Sequence, residues 1–361
     1  MQPFAEIINF DWCSLEASFC QPDFSLVRAE LSTAGWRQEL QCQQAARIGR
    51  LRCDKLLPEQ PYTLKIFLSG QTLELSFTTL PAPAGPCLCR YAAIADPHIS
   101  LSYENRKGRL FRESALILSN VVAQANAAAV DFALLAGDIT NAGLAEEYSC
   151  AKKILSQLQA PLVCAPGDHD ITSAAPHLWQ DFFPDADHKY REIGDFAVLA
   201  LDTHRSCLAE SDRPWLKRLQ AAERRKILVS HVHLLPQPAL NCGSKNAAVQ
   251  NFAAFAGDFS ALGDALLYAG HQNVPCQVRT GGLRQINLPQ PCQYLCSWYL
   301  MEVYRNGTYH KNIPISSEIL RQQSRLDAEA AVELYQEAQW ASSYRQGKSP
   351  AESNFLIPDS K

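Results

Sequence analysis

Six apolar runs in the later part of the sequence each stop on, or just before, an aspartate or a histidine. They are YAAIAD (91–96), DFALLAGD (131–138), PLVCAPGD (161–168), FAVLALD (196–202), KILVSH (226–231) and ALLYAGH (265–271). At their ends they deliver Asp96 and His98 from ADPH, Asp138 from AGDITNAG, Asp168 and His169 from PGDHD, His231 from VSHVH, and His271 from AGHQN. Carboxylates and neutral imidazoles together are the donor set of borderline-hard divalent metals. So many on one edge would leave buried charge uncompensated without a cation. These residue types imply a metal centre.

The elements that must carry these residues are legible in the same stretch. RLFRESALILSNVVAQANAAA and AEEYSCAKKILSQL, which separate the apolar runs, repeat apolar residues three and four apart, as amphipathic helices do. Buried strands alternating with helices predict a layered α/β fold, and in open α/β sheets the loops beyond the strand ends form the ligand crevice. The first eighty residues read differently. Leu64, Ile66 and Leu68 alternate, and after Ser69-Gly70 the set Leu73, Leu75 and Phe77 answers them as the second arm of a hairpin. With INFDWCSLEASF and FSLVRAEL upstream, the segment resembles a fibronectin type III sandwich. The stretch PAPAGP (81–86) interrupts both periodicities, because proline lacks the amide donor that a ladder or helix needs. The expected division is therefore a β-sandwich over 1–83, a layered α/β domain over 87–315, and a helix and tail over 316–361. The helix opens at the Ser-Ser of SSEILRQQ and is expected to run to about 344. The polar tail after Gly347 is either disordered or docks on a neighbouring subunit, which leaves a homo-oligomer open.

Composition limits the function classes. The 361 residues carry a formal net charge of -4, which gives no reason to expect a nucleic-acid partner. No apolar run approaches the roughly 20 residues that span a bilayer, and MQPFAEIINFDW lacks the pattern of a secretion signal, so a cytoplasmic protein without a membrane partner is expected. The 13 cysteines are odd in number and scattered through apolar runs, which predicts reduced thiols rather than disulfides. Cys87 with Cys89, and Cys292 with Cys296, lack a second pair at zinc-site spacing. His177, His188, His204 and His310 fall at no strand end of this kind and are expected to be structural. Asp202 and Thr203 are expected to order the loop after their strand. KRLQAAERRK is expected to be a solvated helix face. Asn306-Gly307, inside a glycosylation-like Asn-Gly-Thr, is expected to be a type I′ hairpin turn.

The series Asp-x-His, Gly-Asp, Gly-x-His-Asp, His and Gly-His resembles the calcineurin-like metallophosphoesterases over residues 91 to about 310. ADPHIS, GDITNAG and FAVLALDT are most similar to the class III cyclic-nucleotide phosphodiesterase branch, whereas an N-terminal sandwich resembles the purple acid phosphatases. The resemblance implies a layered α/β sandwich of two central mixed sheets flanked by helices. It implies two divalent ions, for which Mn, Fe, Zn and Mg are all open. Asp138 would bridge them, Asp96 and His98 would hold the first, and Asp168, His231 and His271 the second. His169 would protonate the leaving oxygen or stabilise phosphoryl charge, with Asp170 as its orienting partner. Such a pair of metals clamps the phosphate and acidifies a bridging water for in-line attack.

Two positions depart from the family pattern. Asp168 stands where the family has Asn, and Asn273 stands where the last His of Gly-His-x-His belongs. The first change strengthens a ligand, and the second exchanges an imidazole for a weak amide oxygen. The second metal is expected to bind at least as well as usual and the first worse, with His233 as a further candidate for compensation. Two function classes follow: a phosphohydrolase acting on a small phosphodiester or phosphomonoester, including nucleotides, or a binding protein that keeps the fold without turnover. The retained Asp138 and His169 favour the hydrolase. The loops ITSAAPHLWQDFFPDADHKY and PQPALNCGSKNAAVQ carry no readable substrate preference.

Overall fold

Alternation of buried and more exposed residues, clearest over Phe4–Phe10, Ile48–Asp54 and Pro61–Leu68, builds the N-terminal region. In a computed structural model, which describes residues 3–23, 27–45, 47–68, 70–236, 248–335 and 350–359, this region holds eight strands. They are β1 (Phe4–Phe10), β2 (Ser14–Cys20), β3 (Arg28–Thr33), β4 (Trp36–Leu40), β5 (Cys42–Ala45), β6 (Ile48–Asp54), β7 (Pro61–Leu68) and β8 (Gln71–Thr78). They form two antiparallel sheets, β1-β2-β6-β5 and β4-β3-β7-β8, which share one apolar cluster that includes Leu15, Phe19, Leu31, Leu51 and Leu64. The expected hairpin is β7–β8, where Leu64 lies opposite Leu75 and Ile66 opposite Leu73. Ser69, residues 237–247 of the second long loop, and the stretch 336–349 expected as helix end and tail lie outside the described residues.

The remaining elements are β9 (Cys89–Ile94), α1 (Ser114–Ala127), β10 (Phe132–Ala136), α2 (Ala145–Leu155), β11 (Leu162–Ala165), α3 (Leu178–Phe182), α4 (Asp185–His188), β12 (Tyr190–Ile193) and β13 (Phe196–Ala200). After these come α5 (Arg213–Ala221), β14 (Arg225–Ser230), α6 (Phe252–Ser260), β15 (Ala265–Ala269), β16 (Cys276–Thr280), β17 (Leu283–Asn287), β18 (Ser297–Tyr304), β19 (Gly307–Pro314), α7 (Glu318–Tyr335) and β20 (Phe355–Ile357). Two six-stranded mixed sheets result, in the orders β11-β10-β9-β18-β19-β20 and β12-β13-β14-β15-β17-β16. Strands β9, β10 and β11 run parallel in the first, and β13, β14, β15 and β17 in the second.

Both faces of the parallel strands are covered, which explains why they read as unbroken apolar runs. Tyr91, Ala93, Phe132 and Leu134 join Val198 and Val229 in the layer between the sheets. Ala92, Ile94, Ala133 and Leu135 pack outward with residues of α1 and α2, and Leu199 and Leu228 pack with residues of α5 and α6. The order is helix, sheet, sheet, helix. All parallel strands of both sheets therefore end on one edge.

Three expectations need correction. The segment after α7 does not stay a separate tail, because Phe355 and Ile357 are apolar at alternate positions and β20 completes the first sheet beside β19. The β18–β19 turn is Arg305-Asn306, one residue earlier than expected, since Tyr304 pairs with Gly307. Neither central residue has the positive φ of a type I′ turn. Asn306 instead bonds outward, to Ala84 N (3.0 Å) and Ala82 O (3.1 Å), and so pins the proline-rich link to the sheet. Finally, the basic stretch at 217–226 is helix only as far as Ala221, and Arg225 and Lys226 already belong to β14.

The sandwich is docked through buried charge. Arg321 of α7, 1% exposed, bonds Glu6 of β1 at 2.7 Å and Glu318 at 2.9 Å, and Glu318 in turn bonds Arg50 of β6 at 2.9 Å. Removing one partner from such a pair leaves a buried charge alone and costs about 3–5 kcal/mol. Among the described residues no helix is long and apolar enough to cross a membrane.

Candidate metal centre

The loops that follow β9 and β10 continue side by side beyond the strands. Asp96 N donates to Gly137 O (3.0 Å), His98 N to Asp138 O (2.9 Å) and Ile99 N to Ile139 O (2.8 Å). The chain then has to turn each side chain back over the strand ends, and it does so through left-handed backbone. Asp96, His98, Asp138, His271 and Asn273 all have φ between 44° and 66°. Asp, Asn and His tolerate this region better than most residues, and such strain concentrates at functional sites. Glycines precede the ligands because the backbones approach closely. A Cβ on Gly167 would lie 2.1 Å from Asp138 Oδ1, and one on Gly137 would lie 2.6 Å from the His231 Cβ.

The structure brings the expected ligands into contiguous sets. His98, Asp138 and His169 form one, Asp96, Asp138 and His231 a second, and Asp168, His231 and His271 a third, each with its donor atoms within 4.8 Å of one another. Asp138 belongs to two of the sets. Its Oδ2 lies 3.6 Å from His98 Nε2 and 3.4 Å from His231 Nε2. In the third set the distances are 2.9 Å from His231 Nε2 to Asp168 Oδ1, 3.4 Å from His271 Nδ1 to the same oxygen, and 3.1 Å between the two ring nitrogens. His231 Nδ1 contacts Ala136 O at 3.1 Å, which orients the ring so that Nε2 points at the carboxylates.

These residues fit divalent cations. His98 is 0% exposed, yet neither of its ring nitrogens has a hydrogen-bond partner, and the buried Asn273 Oδ1 is also unpartnered. Buried polar atoms are otherwise almost always satisfied. Burial pushes the carboxyl groups of Asp96 and Asp138 up, and it drives the His98 imidazole well below its ordinary range, so that ring is neutral. Burial opposes charge on His231 too, but Asp138, Asp96 and Asp168 outweigh it and raise the imidazolium to about 10. The three carboxylates thus favour a proton on His231. A cation bound there would release that proton.

His169 lies part-buried at the rim of this cluster. Its N–H donates to Asp138 Oδ1 (3.0 Å), its ring stands edge-on to His98 with centroids 4.9 Å apart, and its Nδ1 meets Asn141 O at 2.5 Å. Asp170 does not orient this ring, contrary to the expectation. Its oxygens accept from Thr140 N (2.8 Å), Thr140 Oγ1 (2.9 Å) and Gly167 N (2.9 Å), so the carboxylate is occupied in tying the two ligand-bearing loops together. Thr203 plays a similar part, since its hydroxyl accepts from Val232 N (2.9 Å) directly after His231. Asp202 holds His204 N (3.2 Å) in its own loop.

Sequence reasoning missed Arg109. Residues 109–111 pass over the cluster: Phe111 packs edge-on to His98 at 6.3 Å, and Leu110 N donates to Cys292 O (2.7 Å), whose Sγ donates to Asp96 O (3.4 Å). Arg109 Nε is buried without a hydrogen-bond partner, and its charge is among those that disfavour a proton on His98. In sequence it reads as part of the amphipathic stretch that opens at RLFRES, but α1 begins only at Ser114 and Arg109 lies in the irregular segment before it. His233 is fully buried and joins none of the donor sets found among the described residues. His310 is also fully buried, and its Nε2 meets Tyr268 OH at 2.9 Å inside the core. The cysteines described are free thiols, and burial pushes Cys296 up to about 12.

Asn273 sits on Asp96, with Nδ2 at 3.3 Å from Oδ1. Replacing it by His is expected to tighten divalent-metal binding at this end of the cluster by more than about tenfold, since even a partner outside the ligand set commonly changes affinity about 10- to 100-fold. Equilibrium dialysis against a metal buffer reads this directly. Unchanged affinity and stoichiometry would mean that position 273 does not face the ions.

The family model described as calcineurin-like phosphoesterase matches residues 89–275. A probable glycerophosphodiester phosphodiesterase GpdQ of Arcobacter nitrofigilis is 28% identical over 131 residues, covering 34% of this chain and 46% of that protein. The glycerophosphodiester phosphodiesterase GpdQ of Enterobacter lignolyticus is 33% identical over 90 residues, covering 24% of this chain and 32% of that protein. The chain thus spans less than half the length of these curated relatives. Among solved structures, a dimetal phosphatase from Danio rerio superposes with a TM-score of 0.50 at 14% identity, covering 64% of this chain and 98% of that one.

Proposed function

Because the chain belongs to the calcineurin-like phosphoesterase family, we propose that it is a metal-dependent phosphohydrolase that cleaves a small phosphodiester. The observation that carries the reading is Asp138, shared by two of the three donor sets beside a buried His98 whose ring nitrogens lack hydrogen-bond partners. Asp96, His98, Asp138 and Asn273 would hold one divalent ion, and Asp138, Asp168, His231 and His271 the other. The ions would supply a Lewis acid for the phosphoryl oxygens and a water made acidic enough to attack near neutral pH. The diester preference rests on the relatives named glycerophosphodiester phosphodiesterases.

The chain's own residues do the rest. Asn141 O holds the His169 ring by Nδ1, which leaves Nε2 to deliver a proton to the departing oxygen. Asp170 keeps the loops of Asp138 and His169 in register, so that acid and ligand move as one unit. Asp168 and His271 are the more open members of the set, with side chains 43% and 28% exposed, and mark the side from which substrate enters. Arg109 supplies a fixed positive charge for a non-bridging phosphoryl oxygen. The sandwich over 1–83 acts as a support for the layered domain, docked by the Glu6–Arg321 pair.

The assay is turnover of a panel of generic diesters, monoesters, cyclic nucleotides and glycerophosphodiesters, with Mn, Fe, Zn or Mg supplied in turn and metal content measured in parallel. Diester cleavage that chelation abolishes is the expected result; full metal loading without turnover of any phosphoester would refute it. Arg109→Ala is expected to raise KM roughly 10- to 100-fold, the loss of one hydrogen bond to a charged group. Metal content should stay unchanged. A KM equal to that of the parent enzyme would remove Arg109 from the substrate.

A further inference from the structure

The candidate metal centre lies past the C-terminal ends of β14 and β15. At the opposite ends of these strands is a cavity of about 390 Å³, within the roughly 300–1,000 Å³ range of small-molecule sites. Arg225 at the cavity and His231 at the metal centre are six positions apart along one strand, or about 20 Å. The two sites are separate.

The cavity joins an apolar floor to cationic walls. Phe196, Ile227 and Ile357 belong to the inter-sheet apolar layer and form the floor. Arg225, Lys226, Arg279 and Arg284 stand around it, opposed only by Asp264 and Asp359 among the lining carboxylates. Arg225 pairs with Asp359, and Arg279 lies 3.8 Å from Asp264 in a pair more than half exposed on both sides. Lys226 and Arg284 have no ion-pair partner among the described residues. Burial and the neighbouring Arg279 both disfavour the charge on Arg284 and nearby Asp264 only partly offsets them, so this cation sits partly desolvated beside another. Its recorded bond is a long contact to Gln277 Oε1 at 3.4 Å. The Arg225 guanidinium lies 5.4 Å from the centre of the Phe196 ring, which sets an aromatic surface beside the cations.

We propose that this cavity binds a small organic anion, one with a flat apolar body and a carboxylate or phosphate-like group. The body would lie on Phe196, Ile227 and Ile357. The anionic group would take charge-assisted hydrogen bonds from Arg284 and Lys226, the cations without a carboxylate within ion-pair distance among the described residues. Nothing in the metal chemistry calls for a ligand here, and the residues involved hold none of the proposed metal ligands.

Calorimetric titration of the full, metal-loaded chain tests it. The probes are 2-naphthoate, 2-naphthylphosphonate and the neutral 2-naphthol, none of which is a phosphoester. At least one of the two anions is expected to bind, and the tighter one identifies the head group. Arg284→Ala and Lys226→Ala should each weaken it about tenfold, the loss of one charge-assisted hydrogen bond. Both variants should keep parental phosphoester turnover, which shows that they fold. The proposal is overturned if 2-naphthol binds as tightly as the anions, if neither anion binds, or if both substitutions leave anion affinity unchanged.

Discussion

Asp138→Ala is expected to lower kcat/KM by more than about 100-fold, above the upper end of what loss of a partner outside the ligand set costs. Asp138 Oδ2 lies within 3.6 Å of His98 and within 3.4 Å of His231, so one carboxylate serves two of the donor sets. Its other oxygen accepts from His169 N, which adds a structural loss to the electrostatic one. Asp138→Asn separates the two effects, because an amide oxygen can still accept from His169 N but brings no negative charge. Both variants should show reduced metal content by atomic absorption. Parental turnover with a full metal complement in Asp138→Ala would falsify the bridging role.

His169→Ala should leave metal content intact and slow turnover in a manner that depends on the leaving group. For an alkyl diester, whose departing alkoxide needs a proton, the expected loss in kcat is about 10²–10⁴-fold, the range for a positioned general acid. For an activated aryl diester the departing phenolate is already stable near neutral pH, and the loss should be far smaller. A ring held by Asn141 O at one nitrogen, and lying beside Asp138, is placed for that transfer. Equal losses on both substrates would assign His169 to positioning or charge stabilisation instead.

The candidate donor set was legible because strand ends in a layered α/β fold leave a record in sequence. A strand buried on both faces must be apolar throughout, so the first polar residue after it marks the edge where the loops begin. Asp96, Asp138, Asp168, His231 and His271 were all singled out in this way, and the fold gathers them into contiguous candidate donor sets. The role expected for Asp170 followed adjacency in sequence, and the geometry gave the His169 ring to a backbone carbonyl 28 residues away. Arg109 reads as the start of an amphipathic helix that in fact begins at Ser114, and the Cys292 contact with Asp96 O was invisible, because the loops that meet there are joined by bonds across some 180–200 residues. The basic pair Arg225-Lys226 looked like a helix surface because the Arg/Lys-rich stretch crosses the helix–strand boundary without a change in composition.

By itself the sequence determined the order of elements, the faces they bury and the residue types at the strand ends. These are local matters, set by side-chain period and by the donors each residue carries. The tertiary structure alone decided which strand ends meet, since β9, β10 and β11 lie in one sheet and β14 and β15 in another, and only their face-to-face packing unites the donors. It also decided the docking of the sandwich, in which Glu6 and Arg321 pair across 315 residues. No period encodes such a partner. The physical reason is the same in each case: burial makes a charge depend on whichever opposite charge the fold brings within reach, and that is a property of packing rather than of sequence neighbourhood.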